Sequence, residues 1–559
     1  MYNLLIGGAA GQGVDTTVTM LEKFLKKSGY FVFTVRDFMS RVREGHNFSV
    51  IRFANEKITS HSNVLDGIIA LNDETIQLHK GRLKENGFIL CDTIIKTDDT
   101  RAIRLNMNDM AKEIGNPRVS GSISVGVVLK LFGETLEKAE EVMKASVKEQ
   151  YVKINLEAIE QGYKSVESKY EGLERREGNY ENHMLISGNE ALALGAIAGG
   201  LKFYSAYPMS PSTSILEYLA SKSSEAGLVV EQAEDEIAAA NMAIGASFAG
   251  ARAMTGTSGG GFSLKVESIG LAGMAEIPVV YVNVQRPGPA TGLPTRTEQS
   301  DLKFIISASQ GEFPRMVIAV RDQEDAFYQT ARALNMAEKY QIPVIILSDQ
   351  YIADSTSTVK PFDISRITMV KATDESDIEG EYLRYRYTED GISPRLIPGR
   401  TKHLVTADSD EHTERGWITE SAETRIKMVD KRMKKLEKLY EELQEPEYIG
   451  ADECEILLLG WGSTYGPIIE AVDKLNEREG SKYGALIFGD IYPLPRKRLE
   501  EMSKRASCII NVEQNATGQL AGLIRESTGI SCTDSILKYD GRQITGEEIV
   551  EKIMKGGRQ

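Results

Sequence analysis

Along the first 170 residues, short apolar runs alternate with segments whose apolar positions recur at helical spacing. Leu4–Gly7, Phe31–Val35, Phe48–Phe53, Gly67–Leu71 and Phe88–Cys91 read as strands, with Thr17–Lys27 and Thr75–Glu85 as helices between them. A charged, glycine-containing stretch, KYEGLERREGNYENH, then reads as a linker. A second alternation begins at SGNEALALGAIAGG, Ser187–Gly200, and continues through a helix at Ser214–Leu219 and strands at Ile277–Val284 and Pro343–Leu347. From about Phe362 to Arg415 the pattern lapses. Thr419–Leu443 follows as a long charged helix with one apolar stripe, which reads as an arm packing on another domain or subunit. A last alternation opens with the strand Glu455–Leu459 and the loop GWGSTYG. The expected architecture is a multi-domain α/β chain: 1–170, a linker at 171–184, 185–361, an irregular arm and helix at 362–450, and 451–559.

Several turns within this frame carry chemistry. The first strand ends in GGAAGQGV, Gly7–Val14, which opens a helix and lets backbone N–H groups approach a phosphate. It has neither the Lys-Ser/Thr of a nucleotide-binding loop nor the spacing of the dinucleotide fingerprint, so a plain tight turn stands beside the anion-binding reading. Arg41, Arg43 and His46 place several donors on one loop, in contact with an anion or with solvent. Tyr207–Thr213, YPMSPST, is an extended loop fixed by two prolines, with Ser210, Ser212 and Thr213 offering hydroxyls and a cap for the next helix.

The stretch Glu231–Phe262 starts with Glu231, Glu234, Asp235 and Glu236, runs into small residues at helical spacing and ends in the turn Thr255–Gly261. Acids at a helix start are stabilised by its dipole, and that explains three of the four. Glu236 directly precedes the tightly packing Ile237–Ala240 run, where a carboxylate is partly desolvated and open to proton work as well as to capping. The loop Gln285–Asp301, rich in proline, glycine and arginine, has the composition of a binding loop on a scaffold. Its Arg296 is suited to hold a carboxylate bidentately or to sit exposed at a loop tip. Asn511–Gly522 is a further strand-to-helix turn, with Asn515 and Gly518.

Composition narrows the classes. A net charge of −15 without a basic stripe argues against nucleic acid as a partner. No run approaches the length of a membrane span and Met1 leads into a strand pattern, so a soluble, cytoplasmic protein is expected. Cys91, Cys454, Cys508 and Cys532 are scattered without paired spacing, as buried free thiols would be, and do not form an iron–sulfur or zinc set.

Taken in order, GGAAGQGV, SGNEALALGA, YPMSPST, EDEIAAANMAIGASFAGARAMTGTSGGGF, TGLPTRTEQSDL and VEQNATGQL resemble the 2-oxoacid:ferredoxin oxidoreductases over essentially the whole chain. The layout resembles the alpha subunit with a gamma domain fused ahead of it. The resemblance implies a gamma domain, a pyrimidine-binding domain for thiamine diphosphate and a transketolase C-terminal-like domain. It implies that Glu236 bonds the cofactor's aminopyrimidine and favours the tautomer that forms the thiazolium ylide. By the same resemblance Tyr207 and Pro208 contact the cofactor, and Ser210 and Arg296 hold the 2-oxoacid. Gly11, Gly13, Arg43 and Asn515 contact coenzyme A. Ser210 stands where the family more often has threonine, keeping the hydroxyl, and Met209 stands for isoleucine.

The implied reaction is oxidative decarboxylation of a 2-oxoacid, with coenzyme A taking the acyl group and ferredoxin the electrons. A beta subunit would supply Mg2+ and a 4Fe–4S cluster, in a heterodimer or a dimer of heterodimers. The substrate the resemblance favours is 2-oxoglutarate, with pyruvate, branched-chain or indolepyruvate relatives as alternatives. A distal substrate carboxylate calls for a second cation, either Arg286 of this chain or a residue of the beta subunit. A non-catalytic scaffold that binds coenzyme A is the reading from another class.

Overall fold

The computed structural model describes residues 1–39, 45–170, 182–370 and 378–556. They fall into two compact units, residues 1–187 with 354–361, and residues 188–353 with 362–559.

The first unit is built on an eight-stranded mixed sheet in the order Ala102–Leu105, Leu83–Asp92, Leu65–Ala70, Tyr2–Ala9, His46–Ala54, Phe31–Asp37, Thr356–Val359, Met184–Ser187. Tyr2–Ala9 runs antiparallel to His46–Ala54 and parallel to Leu65–Ala70. The helix Val14–Lys27 buries Val14, Val18, Leu21 and Leu25 in one stripe, with Asp15 in its first turn and Lys26 and Lys27 in its last, as the dipole favours. The helices Ser120–Leu131 and Glu149–Lys164 approach closely at two glycines: a methyl group at Gly126 would lie 2.0 Å from Ile159 O.

Two expectations change here. The helix predicted over Thr75–Glu85 is Asp73–His79, followed by a 3-10 turn Lys80–Arg82 and the strand Leu83–Asp92. Asn72 caps it by accepting from Thr75 N at 3.0 Å, and strand pairing of Leu83 with Leu65 outweighs helical periodicity beyond Gly81. The segment expected as 185–361 contributes both ends to this first sheet: Thr356–Val359 pairs antiparallel with Phe31–Asp37 and with Met184–Ser187. Val32 N donates to Thr358 Oγ1 at 2.9 Å across that pairing. Most of the expected linker, residues 171–181, lies outside the described residues.

The second unit holds two sheets. A seven-stranded sheet runs Asp490–Tyr492, Met316–Ala319, Pro343–Asp349, Val279–Gln285, Ala253–Thr257, Phe203–Ala206, Val229–Gln232, parallel except at the Asp490–Tyr492 edge. Val279–Gln285 is buried along its whole length, as a central parallel strand covered on both faces must be. The five-stranded sheet runs Glu447–Gly450, Tyr483–Phe488, Ile456–Trp461, Cys508–Glu513, Asp534–Leu537. One apolar core joins them, with Phe262, Tyr281 and Ile345 from one side and Trp461, Phe488 and Leu520 from the other.

The charged helix, Ala422–Glu441, packs within this unit through buried cations. Lys431 Nζ lies 2.7 Å and Lys435 Nζ 2.5 Å from the carboxylate of Glu276, all three buried. Burial alone would push the Glu276 carboxyl up, but Lys431 and Lys435 hold it well below the usual range. Burial lowers Lys435 to about 7. The irregular segment before the helix contains a 3-10 turn, Ile364–Arg366, and an isolated bridge between His412 and Ile418. It is anchored by buried arginines. Arg384 donates to Glu276 O at 2.7 Å and Arg395 to Glu338 at 2.8 Å.

All four cysteines are free thiols; Cys91 and Cys454 are buried, whereas Cys508 and Cys532 are partly exposed. Among the described residues, no helix is long and apolar enough to cross a membrane.

Candidate functional site

The acids of Glu231–Glu236 have separate fates. Glu231 lies on the edge strand Val229–Gln232 and is not a helix-start acid. Asp235 is the cap: its backbone is extended and its carboxylate accepts from Ala238 N at 2.8 Å. With the cap filled, Glu236 is the first residue of the helix Glu236–Phe248 and is turned inward, 5% exposed.

Its carboxylate faces the start of the helix Gly259–Met274. A methyl group at Gly261 would lie 2.4 Å from Glu236 Oε1 and 2.1 Å from Thr257 Oγ1, so only glycine permits this approach. Among the described residues no hydrogen bond or close ion pair reaches the Glu236 carboxylate. A buried carboxylate in that condition is costly unless some further group meets it.

The YPMSPST loop is drawn to the same place. Thr257 Oγ1 approaches Met209 Sδ at 3.5 Å, and Asn189 secures the loop by donating to Pro211 O and Ser214 Oγ, each at 2.8 Å. Tyr207 is exposed and Pro208 half-buried. The hydroxyl expected to cap the next helix does otherwise: Ser212 Oγ donates to Met209 O at 2.7 Å, tightening the loop, and the helix Thr213–Ala226 starts without a side-chain cap.

Arg286, at the start of the proline-rich loop, donates to Ser210 O at 2.7 Å. Partial burial lowers its affinity for its proton and Asp301 opposes this. Burial pushes the Asp301 carboxyl up, against a 2.9 Å hydrogen bond from Asn283 Nδ2. Arg296 lies near the other end of the loop. It is half-buried, donates to Thr295 O at 3.2 Å, and its stem passes 3.2 Å from where a methyl at Gly541 would sit.

Beyond Arg296 the loop is pinned to the last domain. Gln299 N donates to Gln514 O at 2.7 Å and Gln299 Nε2 to Trp461 O at 2.7 Å. Asn515 is buried and internally bonded: its amide donates to Gln299 O and to Glu513, and its oxygen accepts from Thr517 N and Gly518 N. Thus Glu236 and Met209 meet at Thr257–Gly261, Arg286 holds the Ser210 end of the Met209 loop, and Arg296 and Asn515 lie where the proline-rich loop meets the last domain.

Gly11 and Gly13 belong to the other unit. Both are exposed with φ of 86° and 85°, at the start of Val14–Lys27, and Gln12 folds back to accept from Ala9 N at 2.7 Å. Nearby in that unit, His46 is buried with its Nε2 3.0 Å from His79 Nε2. Arg41 and Arg43 lie outside the described residues.

Sequence reasoning passed over Lys265, which is wholly buried on the same helix as Gly261. Lys265 Nζ donates to Thr255 Oγ1 at 2.6 Å and to Gly256 O at 3.3 Å. The signal was present: with Phe262, Ser268, Ile269 and Ala272 it occupies one face of the helix, a stripe where a lysine has no business in solvent.

Three family models match this chain. Residues 3–165 match Pyruvate ferredoxin/flavodoxin oxidoreductase, residues 194–431 match Pyruvate flavodoxin/ferredoxin oxidoreductase, thiamine diP-bdg, and residues 454–549 match Pyruvate:ferredoxin oxidoreductase core domain II. The 2-oxoacid:ferredoxin oxidoreductase subunit alpha of Sulfolobus sp is 32% identical, over 99% of this chain and 96% of that one. The 2-oxoglutarate synthase subunit KorA of Methanothermobacter thermautotrophicus is 30% identical, over 67% of this chain and 98% of its own length. A solved structure, the 2-oxoglutarate:ferredoxin oxidoreductase from Magnetococcus marinus with 2-oxoglutarate, coenzyme A and succinyl-CoA bound, superimposes with a TM-score of 0.92 at 31% identity. That match covers 100% of this chain and 99% of that one.

Proposed function

Because this chain belongs to the 2-oxoacid:ferredoxin oxidoreductases as an alpha subunit, with a thiamine-diphosphate-binding domain at its centre, we propose that it converts 2-oxoglutarate to succinyl-CoA together with a beta subunit, coenzyme A and ferredoxin. The observation that carries the catalytic part is Glu236, a buried carboxylate that no described residue satisfies and around which glycine clears space.

That arrangement fits an aminopyrimidine, which offers a ring nitrogen and an exocyclic amine to a carboxylate partner. Thiamine diphosphate, when bound, supplies a thiazolium ring that takes up the electron pair left by decarboxylation. Glu236 holds and moves the proton at the aminopyrimidine nitrogen. Tyr207 and Pro208 wall this site. Ser210 and Arg296 are the proposed contacts to the 2-oxoacid group. A beta subunit supplies Mg2+ and the iron–sulfur cluster. For coenzyme A the proposed contacts on the first unit are Gly11, Gly13 and Arg43. Asn515, in the second unit, shapes the Gly518 turn that its oxygen closes.

The preference for 2-oxoglutarate is supported by Arg286, whose guanidinium is held against the Ser210 carbonyl from the neighbouring loop and gives a distal carboxylate a charged partner. The test is the assembled alpha–beta complex, produced anaerobically and assayed for coenzyme A-dependent reduction of a low-potential dye across a panel of 2-oxoacids. Turnover confined to 2-oxoglutarate supports the proposal. Equal turnover of pyruvate or branched-chain acids assigns the alternative substrates, and no turnover with thiamine diphosphate and cluster both present leaves only a coenzyme A-binding scaffold.

A further inference from the structure

Gln299, three residues beyond Arg296, belongs to the proline-rich loop by sequence and to the last domain by contact. It is fully buried, and its backbone and both ends of its amide are engaged there. Its N–H donates to Gln514 O at 2.7 Å and its C=O accepts from Asn515 Nδ2 at 3.1 Å. Its Oε1 accepts from Gln514 N at 3.1 Å and its Nε2 donates to Trp461 O at 2.7 Å. Gly462, with φ of 55°, leaves room for that amide, since a methyl group there would lie 2.8 Å from Nε2. The last domain meets the loop a second time, at Arg296 itself. Thr297 N donates to Gly541 O at 3.3 Å, and Arg296 Cβ and Cγ lie 3.2 and 3.5 Å from where a methyl at Gly541 would sit, beside Leu293 Cδ1 at 3.0 Å. Gln514 joins the two contacts. Its backbone holds Gln299, while its side chain donates to Gln543 Oε1 at 2.7 Å and accepts from Ile544 N at 2.8 Å, just past Gly541. The contacts close a ring from Arg296 through Gly541, Gln543, Gln514 and Gln299 back along the loop. Its hydrogen bonds run between buried residues, where a bond left unmade is costly, so the ring holds as a unit. It fixes the backbone and the first two side-chain carbons of Arg296, which leaves the guanidinium fewer directions to sample.

We propose that Gln299 is a positioning residue for the 2-oxoacid: through Gln514 and Gly541 the last domain sets the direction of Arg296, and with it the affinity for the carboxylate that every 2-oxoacid carries. The inference rests on the role given to Arg296 above. Gln299 makes and breaks no covalent bond and touches no reacting atom. Its effect therefore falls on substrate binding and not on the chemical step.

The assembled alpha–beta complex, assayed anaerobically for coenzyme A-dependent dye reduction with whichever 2-oxoacid it turns over, separates these effects. Gln299→Met keeps the volume and removes both amide contacts. Gly541→Ala leaves every hydrogen bond of Gln299 in place and presses on Arg296 from the other end of the ring. Gln299→Met is expected to raise KM for the 2-oxoacid by about 10-fold or more, and Gly541→Ala to raise it several-fold. In both, kcat stays within about threefold of wild type, and the affinity for thiamine diphosphate, read by calorimetric titration, is unchanged. A clamp that serves only the fold lowers kcat with the fraction of folded protein and leaves KM where it was. Arg296→Met, assayed alongside, is expected to raise KM at least as far as Gln299→Met. If Arg296→Met raises KM and either of the other variants, once folded, does not, the role of Gln299 is overturned and that of Arg296 stands. If Arg296→Met leaves KM unchanged, the reading of Arg296 fails and this inference with it. Should Gln299→Met not fold, Gly541→Ala decides alone.

Discussion

Glu236 and Glu513 are both buried glutamates beside glycine-rich strand-to-helix turns of the same unit, yet their surroundings are opposite. Glu513 accepts from Asn515 Nδ2 at 2.7 Å, Asn511 Nδ2 at 2.9 Å, Leu520 N at 2.9 Å, Trp461 Nε1 at 3.1 Å and Ala521 N at 3.3 Å. Every lone pair of that carboxylate is used, and what it holds is the turn itself. Glu236 is almost as deeply buried and is met by none of the described residues. Folding has stabilised the first acid and left the second to be stabilised by something that binds. Burial alone does not identify a functional carboxylate; burial without partners does.

The sharpest way to break this comparison is at Glu236. Glu236→Gln is expected to lower 2-oxoacid-dependent dye reduction by the complex by roughly 100-fold or more, with folding stability changed by less than about 1 kcal/mol. Undiminished turnover would place Glu236 with the structural acids. The mirror experiment is Glu513→Ala. It strands five donors and should cost about 3 kcal/mol or more in chemical denaturation, with loss of activity only in proportion to loss of folded protein. A stable Glu513→Ala variant without turnover would make this acid functional after all.

How far these roles could be read from the chain depends on whether the cause is local. The Gly7–Gly13 turn, the acid start before Ile237–Ala240 and the proline-rich loop are local patterns, and each lies where periodicity indicated. Asp235 and Glu236 are adjacent, and only the Ala238 N–H, three residues past Asp235, decides which of them caps. The return of Thr356–Val359 to the first sheet is a pairing across more than half of the chain and has no local signature. Nor does the pinning of Gln299 by Gln514 and Trp461. Lys265 was legible in principle, as a lysine on an apolar stripe. The Asn511–Gly522 turn was visible as a turn, but its saturation by Trp461 was not.

A smaller effect sharpens the substrate side of the comparison. Arg286→Met is expected to raise KM for 2-oxoglutarate by about 10- to 100-fold, while KM for pyruvate changes little. Equal effects on both acids would assign Arg286 to holding the Ser210 loop alone.

The smallest concerns another buried glutamate, Glu276, which is met by cations rather than by N–H dipoles. Lys435 titrates at about 7 in the folded protein against an ordinary 10.5. Between those values the unfolded chain holds the extra proton, so this group makes stability rise with pH, by at most about 1.4 kcal/mol per unit. Lys435→Met should flatten that rise in denaturation curves taken across the window; an unchanged slope would show that Lys435 stays charged.

The central claim is that the fold leaves Glu236 unsatisfied for the cofactor to complete. Thermal melting of the alpha–beta complex, wild type and Glu236→Gln, with and without thiamine diphosphate and Mg2+, tests it most directly. The account predicts that without cofactor the variant melts at or above the wild-type temperature, and that the rise on adding cofactor is large in wild type and much reduced in the variant. A variant that melts lower without cofactor yet gains the full rise would contradict it, since Glu236 would then be serving the fold and not the ligand.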